Sequence, residues 1–533
     1  MLFPRSRLRK FALQQVLLIL IGLGIALGLN AIPNHPGGLQ NWLSYFWTLL
    51  IGISVLSLGF LTIRMDQSLT LSQWVLVGII VAAILRLAVG VFWQLGLPVW
   101  GYGSPVEQAG YIMADAFARD QAAWDLAQSA EPLMSAFTDF RRVDQYGGLL
   151  FLSAFVYRFF GGDDHLPLQM VIITASFSAL TVVFTWGITR KIWGEKVANF
   201  AAWIVVLFPD AIILGSSQMR EAFSMTLFAA ACYGLITYWK EKARRGLAWL
   251  GGSLLMLLPF SPPLAGLLLI ALIVLALFLL RREDANHLYF WLVLTGIAVV
   301  IVAGVWIVWG RIAPAGINDP ISLGSWWFKQ SARWQAYFVR RSSTLVRKIF
   351  KVTPEWSHVP LLMAYGILQP FLPAAVLDSG SPIWKGVAIW RSAGWTILLV
   401  FMIAAPLIAW FRGGWRSAGS GMSLIVWVGI LLASLRSGGD LWDNPRYRVT
   451  FISLQAGLAA WVWYQRQQLK LPWLRWVSIS LGIFLAWFFP WYLERSGFIW
   501  WPIQNIFLTI GLGILSVVLF FVTVKLIKKM GKS

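Results

Sequence analysis

Long apolar segments recur along almost the whole chain, and their lengths predict membrane-spanning helices. A helix that crosses the hydrocarbon core of a bilayer needs about 20 mostly apolar residues. Fourteen segments approach or reach this length, so we predict about fourteen spans, at 11–31, 42–63, 73–93, 166–188, 197–213, 222–239, 247–259, 263–280, 289–309, 394–411, 422–436, 449–464, 474–491 and 503–524. Prolines at 259, 262 and 263 mean that the pair 247–259 and 263–280 could also form one broken hairpin.

Composition supports this interpretation. The 533 residues are 59% hydrophobic and 12% charged, and the mean hydropathy is +0.71. Soluble domains carry about 25% charged residues, so the composition excludes a soluble enzyme. The single cysteine, Cys232, excludes an internal disulfide and a cysteine-rich metal site. The predicted fold class is an all-α polytopic membrane protein.

The net charge of +21 mostly reflects membrane topology. Lys and Arg collect in the short connections that alternate with the spans, and cytoplasmic loops are the ones enriched in these residues. This bias predicts that both termini are cytoplasmic and that two long stretches, 94–165 and 310–393, lie outside. Loops of this length are uncommon unless they are functional, so we expect the chemistry on the extracytoplasmic face.

The first outer stretch is acidic, with nine Asp and Glu against four Arg. Glu107, Tyr111, Asp115 and Arg119 recur every four residues, which predicts one helix that presents all four on one face. A carboxylate there could act as a general base on an acceptor hydroxyl. The alternative is a solvated helix with an Asp115–Arg119 ion pair.

The second outer stretch is basic. Within 311–360, eight Lys and Arg stand against two acidic residues, and an apolar stripe at helical spacing runs from Trp327 to Ile349. This pattern predicts an interfacial amphipathic helix that holds a lipid-linked phosphate or contacts anionic headgroups. The apolar piece 361–377, broken by Pro370 and Pro373, is predicted to be re-entrant or to lie on the surface.

Three further sites carry arginines near predicted span ends. Arg446-Tyr447-Arg448 could stabilise a phosphate leaving group, or Arg446 could pair with Asp443. Arg220-Glu221 could be a structural ion pair, or Arg220 could reach the same phosphate. Arg86, within the third span, is either functional or extends its guanidinium to the membrane surface.

The order of several short motifs resembles the GT-C glycosyltransferases of the protein-O-mannosyltransferase and lipid A aminoarabinose transferase type. That family opens its first outer loop with D-E-x-x-Y, where this chain has Glu107-Gln108-Ala109-Gly110-Tyr111. The other matching segments are 146–161, which ends in an aromatic-Phe-Gly step, 176–194, which closes on Arg190-Lys191-x-x-Gly194, Phe208-Pro209-Asp210 with the polar cluster 216–221, and the late Arg446-Tyr447-Arg448.

The resemblance implies a GT-C-like bundle and an enzyme that moves a sugar from a polyprenyl-phosphate-linked donor to a glycan, lipid or protein acceptor, with inversion at the anomeric carbon. It favours a plasma (inner) membrane location. No nucleic acid partner and no cofactor are expected, and the reaction is expected to be metal-independent or weakly metal-dependent. We expect accessory helices in 1–72, a catalytic core in 73–310, a basic loop in 311–393 and carboxyl-terminal spans in 394–533.

Within this interpretation the general base is Glu107 or Asp115, and the residues leave that choice open. Substrate binding is expected from Tyr111, Asp144, Arg220, Glu221, Arg446, Tyr447 and Arg448. Two other classes compete. An O-antigen-type polymerase or ligase would need no acidic outer helix before the fourth span. A transporter or flippase for lipid-linked glycans would place ionisable groups at mid-membrane.

Overall fold

The computed structural model describes residues 20–32, 38–64, 72–279, 288–330, 351–377, 380–438, 440, 442–469, 472–495 and 497–530. Within these ranges the regular structure is helical and contains no strand, which confirms the predicted all-α class. The amino-terminal part of the predicted span 11–31 lies outside the described residues. The segment 331–350, which carries most of the predicted amphipathic stripe, does so as well.

The helices are numbered along the chain. The first half contains α1 (Leu20–Asn30), α2 (Leu39–Arg64), α3 (Gln73–Trp100), α4 (Pro105–Gln108), α5 (Ala114–Gln128), α6 (Gly148–Phe160), α7 (Leu168–Trp193), α8 (Glu195–Leu207), α9 (Pro209–Gly215), α10 (Arg220–Glu241), α11 (Arg244–Leu257) and α12 (Pro262–Leu279). The second half contains α13 (Leu288–Ile307), α14 (Trp309–Ile312), α15 (His358–Leu368), α16 (Leu372–Leu377), α17 (Pro382–Gly413), α18 (Ala418–Ser437), α19 (Asp443–Arg448), α20 (Ile452–Leu469), α21 (Pro472–Arg495) and α22 (Ile506–Met530).

Nine of the described helices are long and apolar enough to cross a membrane: α2, α3, α7, α10, α12, α13, α17, α18 and α22. The pair α8 and α9 makes a tenth if it is one span bent by 57°. Multiple candidate spans confirm a polytopic membrane protein. The count of fourteen stays a prediction, because α11 has only 14 residues and the first predicted span is partly undescribed.

Helices α7 and α10 form the centre of the bundle, since nearly all of their side chains are buried. Small residues permit the close packing. A Cβ on Gly234 of α10 would lie 2.5 Å from the carbonyl oxygen of Gly246 on α11. On the other side, α2 approaches α7 where Gly52 faces Ser176 and Gly59 faces Leu180. Helix α13, by contrast, is mostly exposed, as expected of a helix that faces lipid.

The bend between α8 and α9 has a clear chemical cause. Pro209 lacks an N–H, so the carbonyl of Val205, four residues earlier, loses its helical donor. Arg86 of α3 donates to that carbonyl oxygen over 3.3 Å, and to its own Ala82 carbonyl over 3.1 Å. Its side chain is completely buried, so the alternative in which it extends to the membrane surface is wrong. Arg86 instead satisfies the backbone at the break, which is the way buried polar groups are normally accommodated.

The chain separates into two compact units, Met1–Val462 and Trp463–Ser533. The second unit consists of the end of α20 and the helices α21 and α22, whose packing includes ring contacts between Trp476 and Phe520 and Phe521. The first unit contains every residue proposed from the sequence for the site. The four predicted functional segments stay a prediction.

Candidate active site

The sequence segment 107–119 forms two helices rather than the single one predicted. Helix α4 ends at Gln108, and α5 begins at Ala114. Gly110 lies between them with a φ of +79°, a left-handed conformation that suits glycine. The prediction of one shared face for Glu107, Tyr111, Asp115 and Arg119 is therefore wrong, and the two candidate carboxylates diverge.

Glu107 is the N3 residue of a capping box on α4. Its Oε2 accepts hydrogen bonds from the backbone N–H groups of Tyr102 (2.9 Å) and Ser104 (3.1 Å), and the Ser104 hydroxyl accepts from the Glu107 N–H. Trp384 of α17 donates its indole N–H to Oε1 over 2.7 Å. Burial alone would raise the pKa of Glu107, but these hydrogen bonds hold it below its ordinary value. The carboxylate is thus occupied by structural donors and contacts neither Arg446 nor Arg448.

Asp115 stands in the first turn of α5 and meets Arg446. Its Oδ2 lies 2.9 Å from Nη2 of Arg446 and 3.7 Å from Nη2 of Arg119. Burial would raise the pKa of this carboxyl, but Arg446 and then Arg119 outweigh that effect and lower it. The lowered pKa keeps Asp115 ionised. Because 40% of its side chain remains exposed, a substrate can still reach it.

Arg446 lies at the centre of a cluster of acidic side chains from three segments. Besides Asp115, its Nε donates to Oε1 of Glu221 over 2.7 Å, and its Nη1 lies 3.7 Å from Asp443. Burial disfavours the charged guanidinium, yet Glu221 and Asp115 raise its pKa above the ordinary value. The second oxygen of Glu221 is buried and has no hydrogen-bond partner among the described residues. Arg446 is therefore held in place by carboxylates, and one Glu221 oxygen beside it can still accept a hydrogen bond.

Arg119 joins this cluster to the linker before α10. Its Nη1 donates to the carbonyl oxygen of Gln218 over 2.9 Å, and its Nε lies 3.9 Å from Asp144. Asp144 also accepts from the backbone N–H of Leu150 over 3.1 Å at the start of α6. Asp144 thus reaches the cluster through Arg119, but most of its hydrogen bonding serves the beginning of α6.

Arg220, at the start of α10, differs from its neighbours because no carboxylate in the described part of the chain lies within ion-pair distance of it. Its guanidinium lies 5.5 Å from the ring centre of Tyr146, and its Nη1 is 3.5 Å from the carbonyl oxygen of Phe260. It is close enough to Asp115 to contribute to the lowered pKa of that group. Arg220 is therefore the cation of this cluster that is most available to an incoming anion.

Arg448 lies apart from Arg446, although only two residues separate them. Its guanidinium packs over Trp395 of α17, 3.2 Å from the ring centre, and donates to the carbonyl oxygen of Gln369 over 2.9 Å. Only 1% of the residue is exposed, and burial lowers its pKa to about 9. The structure thus does not bring Arg446 and Arg448 to one binding point.

An ion pair that the sequence reasoning missed lies next to Arg448. Nε of Arg391 on α17 donates to Oδ1 of Asp210 over 2.6 Å, and Arg391 also packs over Trp442, 4.1 Å from the ring centre. Both charges are buried, and the second oxygen of Asp210 has no hydrogen-bond partner in the described part of the chain. The available signals were an acid directly after Pro209 and an arginine just before a predicted span.

The two tyrosines predicted to bind substrate occupy different environments. Tyr111 is buried, and its hydroxyl donates to Asp120 over 2.5 Å, so it does not face Asp115 or Arg446. Burial and the nearby Asp120 carboxylate raise its pKa well above the ordinary value. Tyr447 is 36% exposed beside Arg446, where a sugar or phosphate can reach its ring.

Fold and site together define a class: an all-α polytopic membrane protein with a partly exposed carboxylate–guanidinium cluster formed by α5, α10 and α19. Across the described ranges, no group of three or more His, Cys, Asp or Glu side chains is arranged to hold a metal ion.

No known protein family and no curated protein sequence matches the chain. Among solved structures, it is similar to the oligosaccharyltransferase AglB of Archaeoglobus fulgidus in complex with an inhibitory peptide and a dolichol-phosphate (15% identity, TM-score 0.38). It is also similar to the oligosaccharyltransferase of that organism tethered to an acceptor peptide through a disulfide (14% identity, TM-score 0.38). Each alignment covers 84% of this chain, which spans about half the length of these relatives, 54% and 53%.

Proposed function

We propose that the protein is a glycosyltransferase that moves a sugar from a polyprenyl-phosphate-linked donor to an acceptor hydroxyl at the extracytoplasmic face of the membrane. The observation that carries this proposal is the pairing of Asp115 with Arg446, with Arg220 nearby and not ion-paired to any residue that the structure describes. A base and an anion-binding cation at one opening are the two groups that displacement of a sugar from a lipid phosphate requires.

In the proposed reaction Asp115 is the base. The acceptor oxygen attacks the anomeric carbon and gives its proton to the Asp115 carboxylate, while the bond between that carbon and the phosphate oxygen breaks. A single displacement of this kind inverts the anomeric centre. Arg446 keeps Asp115 ionised before the reaction, and the exposure of Asp115 lets an acceptor approach. We assign this role to Asp115 and not to Glu107, because four hydrogen bonds already hold the Glu107 carboxylate.

The leaving phosphate takes the bond electrons and gains negative charge, which a guanidinium stabilises by paired hydrogen bonds. Arg220 is the proposed principal partner, because Arg446 is already held by Asp115 and Glu221. Arg446 and the ring of Tyr447 would complete the site. Arg448 would not contact the phosphate, because it is a buried structural cation that packs over Trp395.

A transfer assay with purified protein in lipid vesicles tests the proposal. Radiolabelled polyprenyl-phosphate sugars of several kinds are offered with a mixture of lipid and peptide acceptors, and product is measured by chromatography. Asp115→Asn should lower kcat by about a hundredfold or more, the scale of general-base catalysis. Arg220→Gln should lower turnover and weaken donor binding together, since it contacts the phosphate throughout.

Asp125→Asn is the matched control, because Asp125 is an exposed acid on the same helix, α5, outside the cluster. It should transfer sugar at the wild-type rate. Transfer by Asp115→Asn at the rate of Asp125→Asn would contradict the assignment of the base. Absence of transfer by the wild-type protein with every donor would contradict the proposed function itself.

A further inference from the structure

A second cluster of hydrogen-bonding side chains lies behind α5, outside the proposed reaction centre. Its centre is Asp120, a carboxylate with only 1% of its surface exposed. Oδ2 accepts from the Tyr111 hydroxyl over 2.5 Å and lies 2.9 Å from Nε2 of His165, while Oδ1 accepts from the Tyr157 hydroxyl over 2.6 Å. We call these four residues the Asp120 cluster.

The Asp120 cluster ties together four separate segments of the chain. Tyr111 precedes α5, Asp120 lies in α5, Tyr157 lies in α6, and His165 precedes α7. Trp124, one turn beyond Asp120, stacks on the His165 ring with 5.2 Å between ring centres. In the described part of the chain no arginine or lysine lies within ion-pair distance of Asp120, so its three donors are what compensate its burial.

Helix α5 is fixed at its far end as well. The Arg158 guanidinium of α6 donates to three carbonyl oxygens at the carboxyl-terminal end of α5, those of Leu126 (2.5 Å), Ala127 (3.2 Å) and Ser129 (2.9 Å). The Leu126 carbonyl oxygen also accepts from the backbone N–H and the hydroxyl of Ser129, and Arg158 completes the cap of this helix end. The end of α5 is therefore anchored to the same neighbouring helix that supplies Tyr157.

The placement of Asp120 relative to Asp115 gives the cluster a consequence for the site. Five residues along an α-helix correspond to a rotation of about 140°. Asp115 therefore points towards Arg446 from one side of α5, while Asp120 holds the helix from nearly the opposite side. Rotation of α5 about its axis would break the contacts of both Asp115 and Asp120. Loss of the hydrogen bonds to Asp120 should therefore also weaken the contact between Asp115 and Arg446.

We propose that Asp120 is a positioning residue, which acts through the hydrogen bonds of the Asp120 cluster to hold α5 so that Asp115 stays against Arg446. The link to catalysis rests on the proposed function. The positional claim itself concerns only this chain and can be tested without a substrate.

The test compares two substitutions of His165. His165→Phe keeps an aromatic ring on Trp124 but removes the N–H donor to Asp120. His165→Gln loses the ring but places an amide N–H where Nε2 stood. Tyr157→Phe removes a single hydroxyl, so it provides the same test if the His165→Phe protein does not fold.

The readout is the labelling of Asp115 by a water-soluble carbodiimide, followed by peptide mass spectrometry of the full-length protein in vesicles. Carbodiimides react with the protonated carboxyl, so labelling across pH reports the pKa of Asp115, which Arg446, Arg119 and Arg220 face. Glu131, an exposed acid in the same outer segment, is the internal reference. A rise of one pKa unit increases the protonated fraction, and hence the labelling, about tenfold.

His165→Phe and Tyr157→Phe should increase the labelling of Asp115 relative to Glu131 severalfold, and His165→Gln should retain the wild-type ratio. A wild-type ratio in both phenylalanine variants would overturn the proposal. An equal increase in His165→Phe and His165→Gln would also overturn it, because packing rather than the donor would then hold α5. Sugar transfer is measured in parallel: failure of the wild type to transfer contradicts the proposed function, while the labelling result still decides the positioning role.

Discussion

At the scale of single residues, the two carboxylates that begin the first outer segment have different tasks. Both carboxylate oxygens of Glu107 accept hydrogen bonds, one from Tyr102 and Ser104 and the other from Trp384, and the residue is buried. Asp115 is held by guanidinium groups on one side only and stays open on the other. The hydrogen-bonded carboxylate of Glu107 stabilises the turn, whereas the partly exposed carboxylate of Asp115 can exchange a protein partner for a substrate.

Substitution of Glu107 separates these tasks. Glu107→Gln keeps one acceptor oxygen for the capping box but loses the other, so it cannot accept from both Ser104 and Trp384, and we expect a loss of about 1 kcal/mol of stability. The turnover number should stay close to that of the wild type, in contrast to Asp115→Asn. Thermal unfolding in detergent and the transfer assay measure the two effects. A turnover number as low as that of Asp115→Asn would return Glu107 to the role of base.

The sequence alone could not decide whether Glu107 or Asp115 is the base. The four-residue spacing of the pattern is the same whether the helix continues from one to the other or is broken between them. The decisive feature is the backbone at Gly110, and a glycine in sequence is compatible with a helix interior or with a turn. The ion pair of Arg391 with Asp210 was inaccessible for a related reason. Its partners are 181 residues apart, and only the packing of α9 against α17 brings them together.

At the scale of elements, the long apolar helices were predictable, while short helices at their ends were not. Length and apolar composition identify α3, α7 and α10 in the sequence, because each is a long helix of mostly apolar side chains. Helices such as α4, α9 and α19 have four to seven residues, so their limits depend on a cap, a proline or a distant partner. Of the three helices that form the site, α19 is of this second kind, which explains why Arg446 was anticipated and the separate location of Arg448 was not.

The turn between α4 and α5 offers a test at this scale. A Cβ on Gly110 would lie 2.8 Å from the Cα of Gln94 on α3 and would also strain a φ of +79°. Gly103 has a similar φ of +76° but open space around it, so it is the matched control. We expect Gly103→Ala to cost about 1 kcal/mol and Gly110→Ala to cost more, because backbone strain and the steric contact add.

Gly110→Ala should also reduce sugar transfer, since the displaced turn carries Tyr111 and the start of α5. Equal unfolding temperatures for Gly110→Ala and Gly103→Ala would show that the approach to α3 is relaxed in the membrane, and would contradict the tight packing of this turn.

At the scale of the whole molecule, charge and apolar length predict the side of the membrane on which the proposed site lies. The first outer segment is acidic in a chain with a net charge of +21, and the bias of Lys and Arg towards other connections predicts that this segment is extracytoplasmic. The single Cys232 is completely buried, so the wild-type protein should react very little with thiol reagents. New cysteines at exposed positions can therefore report the side of the membrane directly.

Thr138 lies exposed in the first outer segment, and Lys196 lies exposed in the first turn of α8, directly after α7. In intact cells, a membrane-impermeant maleimide should label Thr138→Cys, while Lys196→Cys should react only after the membrane is permeabilised. The unmodified protein, with Cys232 alone, is the background control. Labelling of Lys196→Cys in intact cells would invert the topology, and Asp115, Arg220 and Arg446 would then face the cytoplasm, where a donor and acceptor presented on the outer face could not reach them.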